Sequence, residues 1–354
     1  MKAAVLRGGA LVVDEVPDPV PGPGQVLVKT LACGICGSDL HFLKFGDQLV
    51  DLSNQLGGAG AFSVDLSKDL IMGHEFSAEV LEVGPDTQSA VKPGDTVVSV
   101  PIMLPPNFDM TDLSGVEPIG SYSNRYNGGY AEYMLLSSIL ATKVPDDLDA
   151  RRAALTEPMA VGLHAVNRSR IKPGEAAVVL GCGPVGLACI AALKLKGIEP
   201  IVAADFSSKR RELAALMGAH EAVDPRVEPA IDAWQRLDGS KPLVIFEAVG
   251  VPGMLDQAMR AVPRNGRVLV VGACMEADTV RPLIGITKEI EMIFVLGYDP
   301  FEFVGTLQSI ASGEIDVMPM ITGSVGIEGV PGAFDALASP DEHCKILVEP
   351  SLDA

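Results

Sequence analysis

Short runs in which apolar and polar residues alternate open the chain and predict a β-rich first part. The runs AAVLRGG and LVVDEV are followed by the turn-forming segment PDPVPGPGQ and by QVLVKT, and residues 78–100 repeat this style around VKPGDTVVSV. Alternation with a period of two is typical of strands that bury one face. We therefore predict an irregular β-rich domain in this part of the chain.

The pattern changes near residue 171, where longer apolar runs alternate with helical segments. Strands are predicted at AAVVL, IVAAD, LVIFEAV, RVLVVGA and MIFVL, with helices over 184–197, 207–217 and near 253–261. Strands that are apolar throughout and alternate with helices indicate a doubly wound parallel sheet. A helix near 301–312 and a strand at KILVEP follow, and we expect this last part to return to the first domain.

Composition and charge exclude two classes of partner. With 354 residues, 48% hydrophobic and 21% charged, the chain is long enough for two or three domains and too apolar to be disordered. Its 27 Lys plus Arg against 46 Asp plus Glu give a formal net charge of −19. An acidic surface repels phosphate backbones and anionic lipid, so we expect neither nucleic acid nor membrane as a partner. Residues 176–193 are uncharged, but central glycines and a proline argue against a membrane span.

The cysteines indicate a reducing compartment. Six of them are scattered at positions 33, 36, 182, 189, 274 and 344, which is not the pattern of a disulfide framework. The opening MKAAVLRGG lacks the apolar run of a secretory signal. We therefore expect a cytoplasmic protein.

A glycine-rich turn lies between a predicted strand and a predicted helix. It comprises Gly181, Gly183, Pro184, Val185 and Gly186, within the G-x-G-x-x-G pattern GCGPVG. Such glycines permit a tight turn, close approach of the backbone to a pyrophosphate, and packing of the helix on the strand. The helix N-terminus offers N–H groups to the phosphates. A tight turn without a ligand is the alternative, but the flanking strand and helix favour a dinucleotide.

Asp205 bears on the choice of coenzyme. It ends the next predicted strand, 19 residues after Gly186. A carboxylate at this place accepts hydrogen bonds from the ribose hydroxyls and repels a 2′-phosphate, so NAD is favoured over NADP. Lys209, Arg210 and Arg211 could flank the same ribose and tolerate a phosphate, and Arg210 is a further candidate for coenzyme binding.

Three residues are candidate metal ligands. They are Cys36 in GICGSDLH, His74 in GHEF and Glu157 in LTEPMAV. Sulfur, imidazole and carboxylate are ligands that Zn²⁺ binds well. Taken singly, each has a plain structural alternative as a buried residue, and Cys33 with Cys36 could also be a redox dithiol. The full set of three favours a metal.

These motifs together resemble the zinc-dependent medium-chain dehydrogenases/reductases of the alcohol dehydrogenase group. The matching segments, which span nearly the whole chain, are GQVLVKTLACGICGSDLH, GHEFSAEVLEVG, VKPGDTVV, GGYAEY, EPMAVGLHA, GCGPVGL and GRVLVVG. The resemblance implies an α/β protein with a GroES-like catalytic domain at 1–160 and 297–354 and a Rossmann coenzyme domain at 161–296. It also implies an active site in the cleft between the domains and a homodimer or homotetramer.

The resemblance assigns roles around one catalytic zinc. Cys36, His74 and Glu157 would be its protein ligands, with water or substrate at the open position. Asp39 would orient His74 through the far ring nitrogen. Glu75 would lie beside the metal, could exchange onto it, and is a further catalytic candidate.

Ser38 and His41 match the proton-relay positions of the family. Ser38 would take the substrate proton and pass it, through the nicotinamide ribose, toward His41 and solvent. Cys33 is assigned to packing, because the family commonly has no ligand there.

The chain differs from the family pattern in two ways. Residues 90–135 contain no cysteine, although many relatives hold a second, structural zinc on four cysteines there, so one zinc per chain is expected. Residues 42–72 lengthen the separation between Cys36 and His74. This insertion is expected either to cover the substrate entrance or to form a surface loop.

The implied reaction is hydride transfer between NAD(H) and a secondary alcohol or polyol and its ketone. The Glu157 ligand and its context resemble sorbitol, butanediol and threonine dehydrogenases, but Tyr298 lacks the neighbouring Arg of polyol-specific relatives. A less polar secondary alcohol therefore stays open as substrate. The alternatives are a metal-free NADPH reductase of activated double bonds and a non-catalytic nucleotide-binding protein.

Overall fold

The fold is described from a computed structural model, over residues 1–55, 64–106, 108–109, 111, 114–339 and 341–353. The chain groups into two compact units. The first comprises Met1–Glu157, Ile321–Ser339 and Lys345–Ala354, and the second comprises Pro158–Met320 and Pro340–Cys344. Within the described ranges, no helix combines the length and the apolar character needed to cross a membrane.

The first unit is built mainly of strands. In chain order they are β1 (Lys2–Arg7), β2 (Ala10–Glu15), β3 (Gln25–Gly34), β4 (Glu75–Val83), β5 (Thr96–Ser99), β6 (Ile102–Met103), β7 (Glu117–Pro118), β8 (Tyr133–Ser137) and β9 (Ala141–Lys143), then β16 (Ile321–Val325) and β17 (Lys345–Val348) late in the chain. Its helices are α1 (Gly37–Gln55), α2 (Ala150–Ala154) and α10 (Val330–Leu337). The main sheet has the order β16-β17-β3-β4-β5-β9, with β8 also pairing with β3.

The pairing of β3 with its two neighbours determines what meets at its carboxyl end. Antiparallel pairing places Gly34 opposite Glu75 at the start of β4. On the other side of β3, Gly34 lies opposite Leu347 of β17. Three segments are therefore brought to one place: the residues that follow β3, the residues that precede β4, and the start of β17. Up to 310 positions separate them in sequence.

The second unit is a doubly wound parallel sheet. Its strands are β10 (Ala176–Leu180), β11 (Ile201–Ala204), β12 (Glu221–Val223), β13 (Leu243–Glu247), β14 (Arg267–Val270) and β15 (Glu291–Phe294). Its helices are α4 (Pro184–Leu195), α5 (Ser208–Met217), α6 (Ala230–Asp238), α7 (Met254–Ala261), α8 (Pro282–Lys288) and α9 (Pro300–Ala311), and α3 (Thr156–Arg168) leads into the unit. The strand order is β12-β11-β10-β13-β14-β15, with all pairings parallel.

The order of this sheet reverses between β10 and β13, and the loops after β10 and β11 lie at its carboxyl edge. In open α/β sheets, ligands bind at this kind of switch point. The interior positions Val178, Val202, Ile245 and Val268 are almost fully buried and join one apolar core with Trp234. Burial of both sheet faces explains the continuous apolar runs of the sequence.

Two regions differ from the sequence-based expectation. Residues 42–55 of the insertion form most of α1, with a kink at Phe45, rather than a surface loop, while residues 56–63 lie outside the described residues. Residues 297–320, which we expected in the first domain, group with the second unit. The reason lies in α9, where Glu302 accepts hydrogen bonds of 2.7 Å from Asn167 Nδ2 and pairs at 2.7 Å with His164 Nδ1 of α3.

Candidate active site

A sulfur, an imidazole and a carboxylate converge where β3 ends and β4 begins. One ligand atom each from Cys36, His74 and Glu75 lies within 4.8 Å of the other two. His74 and Glu75 are buried, and Cys36 is half-buried. Among the described residues, this is the group of three or more His, Cys, Asp and Glu side chains that could hold a metal ion.

Cys36 is held by the first turn of α1. Its carbonyl accepts a hydrogen bond of 3.2 Å from the Asp39 N–H, and its own N–H donates to Asp39 Oδ2 at 3.1 Å. The Ser38 N–H donates to Cys36 Sγ at 3.5 Å. Backbone donors at a helix N-terminus suit an anionic sulfur. The sulfur is thus oriented by local backbone geometry.

Asp39 lies behind His74, as the resemblance implied. Its Oδ1 is 3.5 Å from His74 Nδ1, a buried nitrogen that has no hydrogen-bond partner among the described residues. The second carboxylate oxygen accepts a hydrogen bond of 2.6 Å from the hydroxyl of Tyr130, which is fully buried. Burial lowers the pKa of His74, but the Asp39 charge and the Cys36 sulfur outweigh burial and raise that pKa well above its usual value.

Ser38 lies against the other nitrogen of the same ring. Its hydroxyl is 3.5 Å from His74 Nε2, and a hydrogen bond links Ser38 to the side chain of Tyr122. Burial raises the pKa of the Tyr122 hydroxyl. Tyr122 lies in SYSNRY, a segment with no distinguishing pattern, and sequence reasoning missed it.

His41 lies one turn further along α1. It is half-buried, and its Nδ1 has no hydrogen-bond partner among the described residues. Burial and the positive charge of Lys44 lower the pKa of His41. A neutral imidazole can accept a proton, so this environment suits the predicted relay role.

Glu157 and Cys33 were the remaining candidates of the first unit. Glu157 lies in the first turn of α3 and outside the group of three, so its assignment as a metal ligand stays a prediction. Cys33 is fully buried, and desolvation raises the pKa of its thiol well above the usual value. A neutral buried thiol agrees with a packing role.

The donor set fits a zinc ion. Thiolate, imidazole and carboxylate are the donors that Zn²⁺ binds in proteins. A buried imidazole whose Nδ1 faces a carboxylate is also the arrangement in which protein metal sites fix the tautomer of a histidine ligand. The described residues therefore could hold the metal that the sequence predicts.

Lys345 contacts this group, and sequence reasoning missed it. Its ammonium donates to both carboxylate oxygens of Glu75, at 2.8 and 2.6 Å, and both side chains are buried. The sequence showed only a strand-like KILVEP, and the pairing partner lies 270 positions away.

The glycine-rich turn connects β10 to α4 as predicted. Gly181 has a φ of +89°, Gly183 is the N-cap residue of α4, and Pro184 occupies the first turn with Val185. A Cβ on Gly186 would lie 1.9 Å from the Gly181 carbonyl oxygen, so a glycine is required there. The first N–H groups of α4 therefore point out of a compact turn, where they could bind phosphates.

Asp205 links this turn to the next strand. Its Oδ2 accepts a hydrogen bond of 2.8 Å from the Cys182 N–H, and its Oδ1 accepts one of 2.8 Å from the Ser207 N–H. These bonds fix the carboxylate at the carboxyl edge of the sheet.

The three basic residues after Asp205 have different partners. Lys209 Nζ donates to the Glu342 carbonyl at 2.6 Å. Arg211 Nη1 donates to the Asp205 carbonyl at 2.8 Å and to a second carbonyl. Within the described structure, Arg210 Nε is buried without a hydrogen-bond partner. Arg210 is therefore the member of the run whose buried donor lacks a partner among the described residues.

Comparison with known proteins assigns the family. The chain is 32% identical to the (R,R)-butanediol dehydrogenase of Bacillus subtilis (strain 168) over 352 residues, which cover 96% of each chain. The model of the alcohol dehydrogenase GroES-like domain matches residues 22–146, and that of the zinc-binding dehydrogenase family matches residues 184–312. The chain belongs to the zinc-type medium-chain dehydrogenases. The predicted family and fold class, GroES-like plus Rossmann, are thereby confirmed.

Other relatives of this dehydrogenase agree on the reaction class. The chain is 28% identical to the sorbitol dehydrogenase of B. subtilis over 369 residues, covering 99% of this chain and 98% of the relative. A solved putative zinc-binding dehydrogenase from Sinorhizobium meliloti 1021, bound to NADP, matches with a TM-score of 0.82 and 28% identity over 99% of both chains. The chain is an oxidoreductase of the alcohol and polyol dehydrogenase class. Neither the metal-free reductase nor the non-catalytic alternative is favoured.

Proposed function

We propose that this dehydrogenase uses one catalytic zinc per chain and NAD⁺ to oxidise a secondary alcohol or vicinal diol to the ketone. The observation that carries the proposal is the convergence of Cys36, His74 and Glu75 within 4.8 Å, with the Ser38 hydroxyl 3.5 Å from His74. A proton acceptor beside a metal-binding set is what alcohol oxidation requires.

Cys36 and His74 of this group would hold the metal together with Glu157, the third ligand that the family resemblance implies, and Asp39 would orient His74. When bound, zinc supplies a Lewis acid that lowers the pKa of the substrate hydroxyl, and NAD⁺ supplies the hydride acceptor. Ser38 Oγ would accept the proton of that hydroxyl while its own hydroxyl proton passes along the relay toward His41. His41, whose pKa is lowered by burial and by Lys44, would deliver the proton to solvent.

The surroundings of Asp205 support NAD over NADP. Its carboxylate is fixed where the adenosine ribose would bind, and a 2′-phosphate would meet its charge. Lys209 and Arg211 are engaged with backbone carbonyls, so two of the three cations that favoured NADP are already committed. Arg210 is left as the candidate contact to the ribose hydroxyls.

The substrate proposal follows the relatives named for butanediol and sorbitol. Tyr298 stacks on Phe303, with ring centroids 5.5 Å apart, and no arginine neighbours it in sequence. A less polar secondary alcohol therefore stays open as substrate beside a diol, because Tyr298 lacks the neighbouring arginine of polyol-specific relatives.

We further propose that the protein is a homo-oligomer. The edge strand β15, the segment just after it and helix α8 expose several large apolar side chains, which are Leu283, Ile286, Phe294 and Leu296. Unpaired edges and apolar patches of this kind are usually covered by a partner. Cytoplasmic localisation stays a prediction.

The test is a coenzyme-reduction assay with the purified, zinc-loaded protein. Secondary alcohols and short diols are offered with NAD⁺ and, separately, NADP⁺, and the reduced nicotinamide is followed by absorbance. We expect turnover with NAD⁺ and higher kcat/KM for a vicinal diol or secondary alcohol than for a primary alcohol. Turnover only with NADP⁺, or only in the presence of activated double bonds and NADPH, would contradict the proposal.

A further inference from the structure

A buried carboxylate without a cation lies at the carboxyl edge of the parallel sheet. Glu247 is the last residue of β13 and is 1% exposed. Its Oε1 accepts hydrogen bonds of 2.8 Å from the Val249 N–H and 2.9 Å from the Gly250 N–H. Among the described residues, no cationic side chain pairs with Glu247, and no donor contacts its Oε2. A buried charge without a partner is costly, so its presence here requires an explanation.

The loop that Glu247 holds is packed against the glycine-rich turn. A Cβ on Gly181 would lie 2.9 Å from the Ala248 carbonyl oxygen, so the turn and the loop approach each other closely. On the other side of the loop, a Cβ on Gly272 would lie 2.4 Å from the Gly250 nitrogen and 2.9 Å from Glu247 Oε2. The loop and the carboxylate are therefore fixed between the turn after β10 and the segment after β14.

This position is on the nicotinamide side of the predicted coenzyme site. Dinucleotides bind across the switch point of a doubly wound sheet, with one mononucleotide half on each side. Asp205 follows β11 on the adenosine side, and the glycine-rich turn that would hold the pyrophosphate follows β10. The other half of the coenzyme would therefore extend over the ends of β13 and β14. There the loop presents Val249 and Val251, which are 41% and 47% exposed and offer apolar contact to an aromatic ring.

The charge on Glu247 distinguishes the two forms of the coenzyme. The nicotinamide ring carries a positive charge in NAD⁺ and none in NADH. A desolvated carboxylate acts on a nearby charge much more strongly than a carboxylate in water does. Burial raises the pKa of Glu247, and the charge of Asp278 raises it further, while the two backbone N–H groups act in the opposite direction. A cationic ring nearby would favour the charged form of the carboxylate, whereas a neutral ring would not.

We propose that Glu247 is the counter-charge of the oxidised nicotinamide and strengthens the binding of NAD⁺ relative to that of NADH. The inference rests on the proposed use of NAD⁺ as coenzyme. In the direction of alcohol oxidation, such a charge favours uptake of NAD⁺ over rebinding of NADH. Because the same carboxylate also holds the loop through Val249 and Gly250, the experiment must separate its charge from its role as an acceptor.

The test compares the dissociation constants of NAD⁺ and NADH for the zinc-loaded protein and for Glu247→Gln, at about pH 8, well above the usual pKa of a carboxyl group. NADH binding is followed by its fluorescence, and NAD⁺ binding by competition with NADH. The amide oxygen of glutamine can accept the same N–H bonds, so the variant removes the charge and keeps the loop. We expect the Kd of NAD⁺ to rise by about tenfold more than the Kd of NADH.

Glu291→Gln is the matched control, because Glu291 is an exposed carboxylate at the start of β15, on the amino edge of the same sheet. It should leave the ratio of the two Kd values unchanged. A shift in this control as large as that in Glu247→Gln would overturn the inference, because the effect would then be one of overall charge.

A second variant covers the case in which Glu247→Gln does not fold. Glu247→Ala removes the acceptor as well as the charge, so both coenzymes should bind more weakly, but NAD⁺ should still lose about tenfold more affinity than NADH. An equal loss for the two coenzymes in either folded variant would overturn the inference alone. An unaltered protein that binds neither NAD⁺ nor NADH would instead refute the proposed use of NAD⁺.

Discussion

Tyr130→Phe tests the support behind the histidine ligand. The Tyr130 hydroxyl donates a hydrogen bond of 2.6 Å to Asp39 Oδ2, whose other oxygen faces His74 Nδ1 at 3.5 Å. Removing one oxygen atom deletes this bond. It leaves the ring, which contacts Phe334 edge to face with centroids 6.0 Å apart. The substitution therefore separates hydrogen bonding from packing.

The expected magnitude follows from the buried position. A hydrogen bond to a charged group contributes about 1.5 to 3 kcal/mol, and Tyr130 is 0% exposed, so solvent cannot replace it. Asp39 Oδ2 keeps the Cys36 N–H as a donor in the variant. We therefore expect the free energy of unfolding to fall by about 2 kcal/mol, near the lower end of that range. Partners that orient metal ligands change metal affinity by about 10- to 100-fold, and we expect about tenfold weaker zinc binding here.

The assay is zinc competition with a chelator of known affinity, with urea unfolding of the metal-free protein alongside. Tyr133→Phe is the matched control, since Tyr133 lies in β8, is half-buried, and its hydroxyl has no hydrogen bond to a described residue. Zinc affinity and urea midpoint of Tyr130→Phe that equal those of Tyr133→Phe would refute the reasoning that Tyr130 supports Asp39.

Three further substitutions probe the relay and the coenzyme. Ser38→Ala should keep its zinc, because the backbone N–H of residue 38 still donates to Cys36 Sγ, but its kcat should fall by about 10²- to 10⁴-fold. Metal analysis beside the rate measurement checks this, and an undiminished rate would rule out the relay. Asp205→Ala should move the NAD to NADP ratio of kcat/KM toward NADP by about tenfold or more, and an unchanged ratio would show that coenzyme choice lies elsewhere. Lys44→Met removes a positive charge that lowers the pKa of His41. The pKa of His41 should therefore rise, and the acid limb of the pH profile of the oxidation rate should move to higher pH. An unmoved limb would exclude His41 as the titrating base.

The fold of the second unit and its glycine-rich turn were predictable because the sequence patterns that mark them are local. Parallel strands buried on both faces give continuous apolar runs, and the glycine-rich turn must carry glycine at Gly186, where a side chain would meet the Gly181 carbonyl. Asp205 follows the strand that borders this turn. Strand, turn and carboxylate are therefore visible within about one βαβ unit of sequence.

The support of the metal site was not predictable in the same way. Lys345 meets Glu75 only because β17 pairs with β3, and no local pattern marks that long-range pairing. Tyr130 was part of the GGYAEY motif, but its bond to Asp39 depends on tertiary packing. The grouping of residues 297–320 with the second unit likewise depends on the contact of Glu302 with α3.

The most direct test of the zinc site is metal analysis of the unaltered protein and of Cys36→Ala. We expect close to one zinc per unaltered chain and loss of zinc together with activity in Cys36→Ala, because the variant lacks the sulfur of a site that prefers four ligands. Circular dichroism would show that the variant keeps its fold. Two tightly held zinc ions, no zinc at all, or full zinc retention in Cys36→Ala would contradict the account.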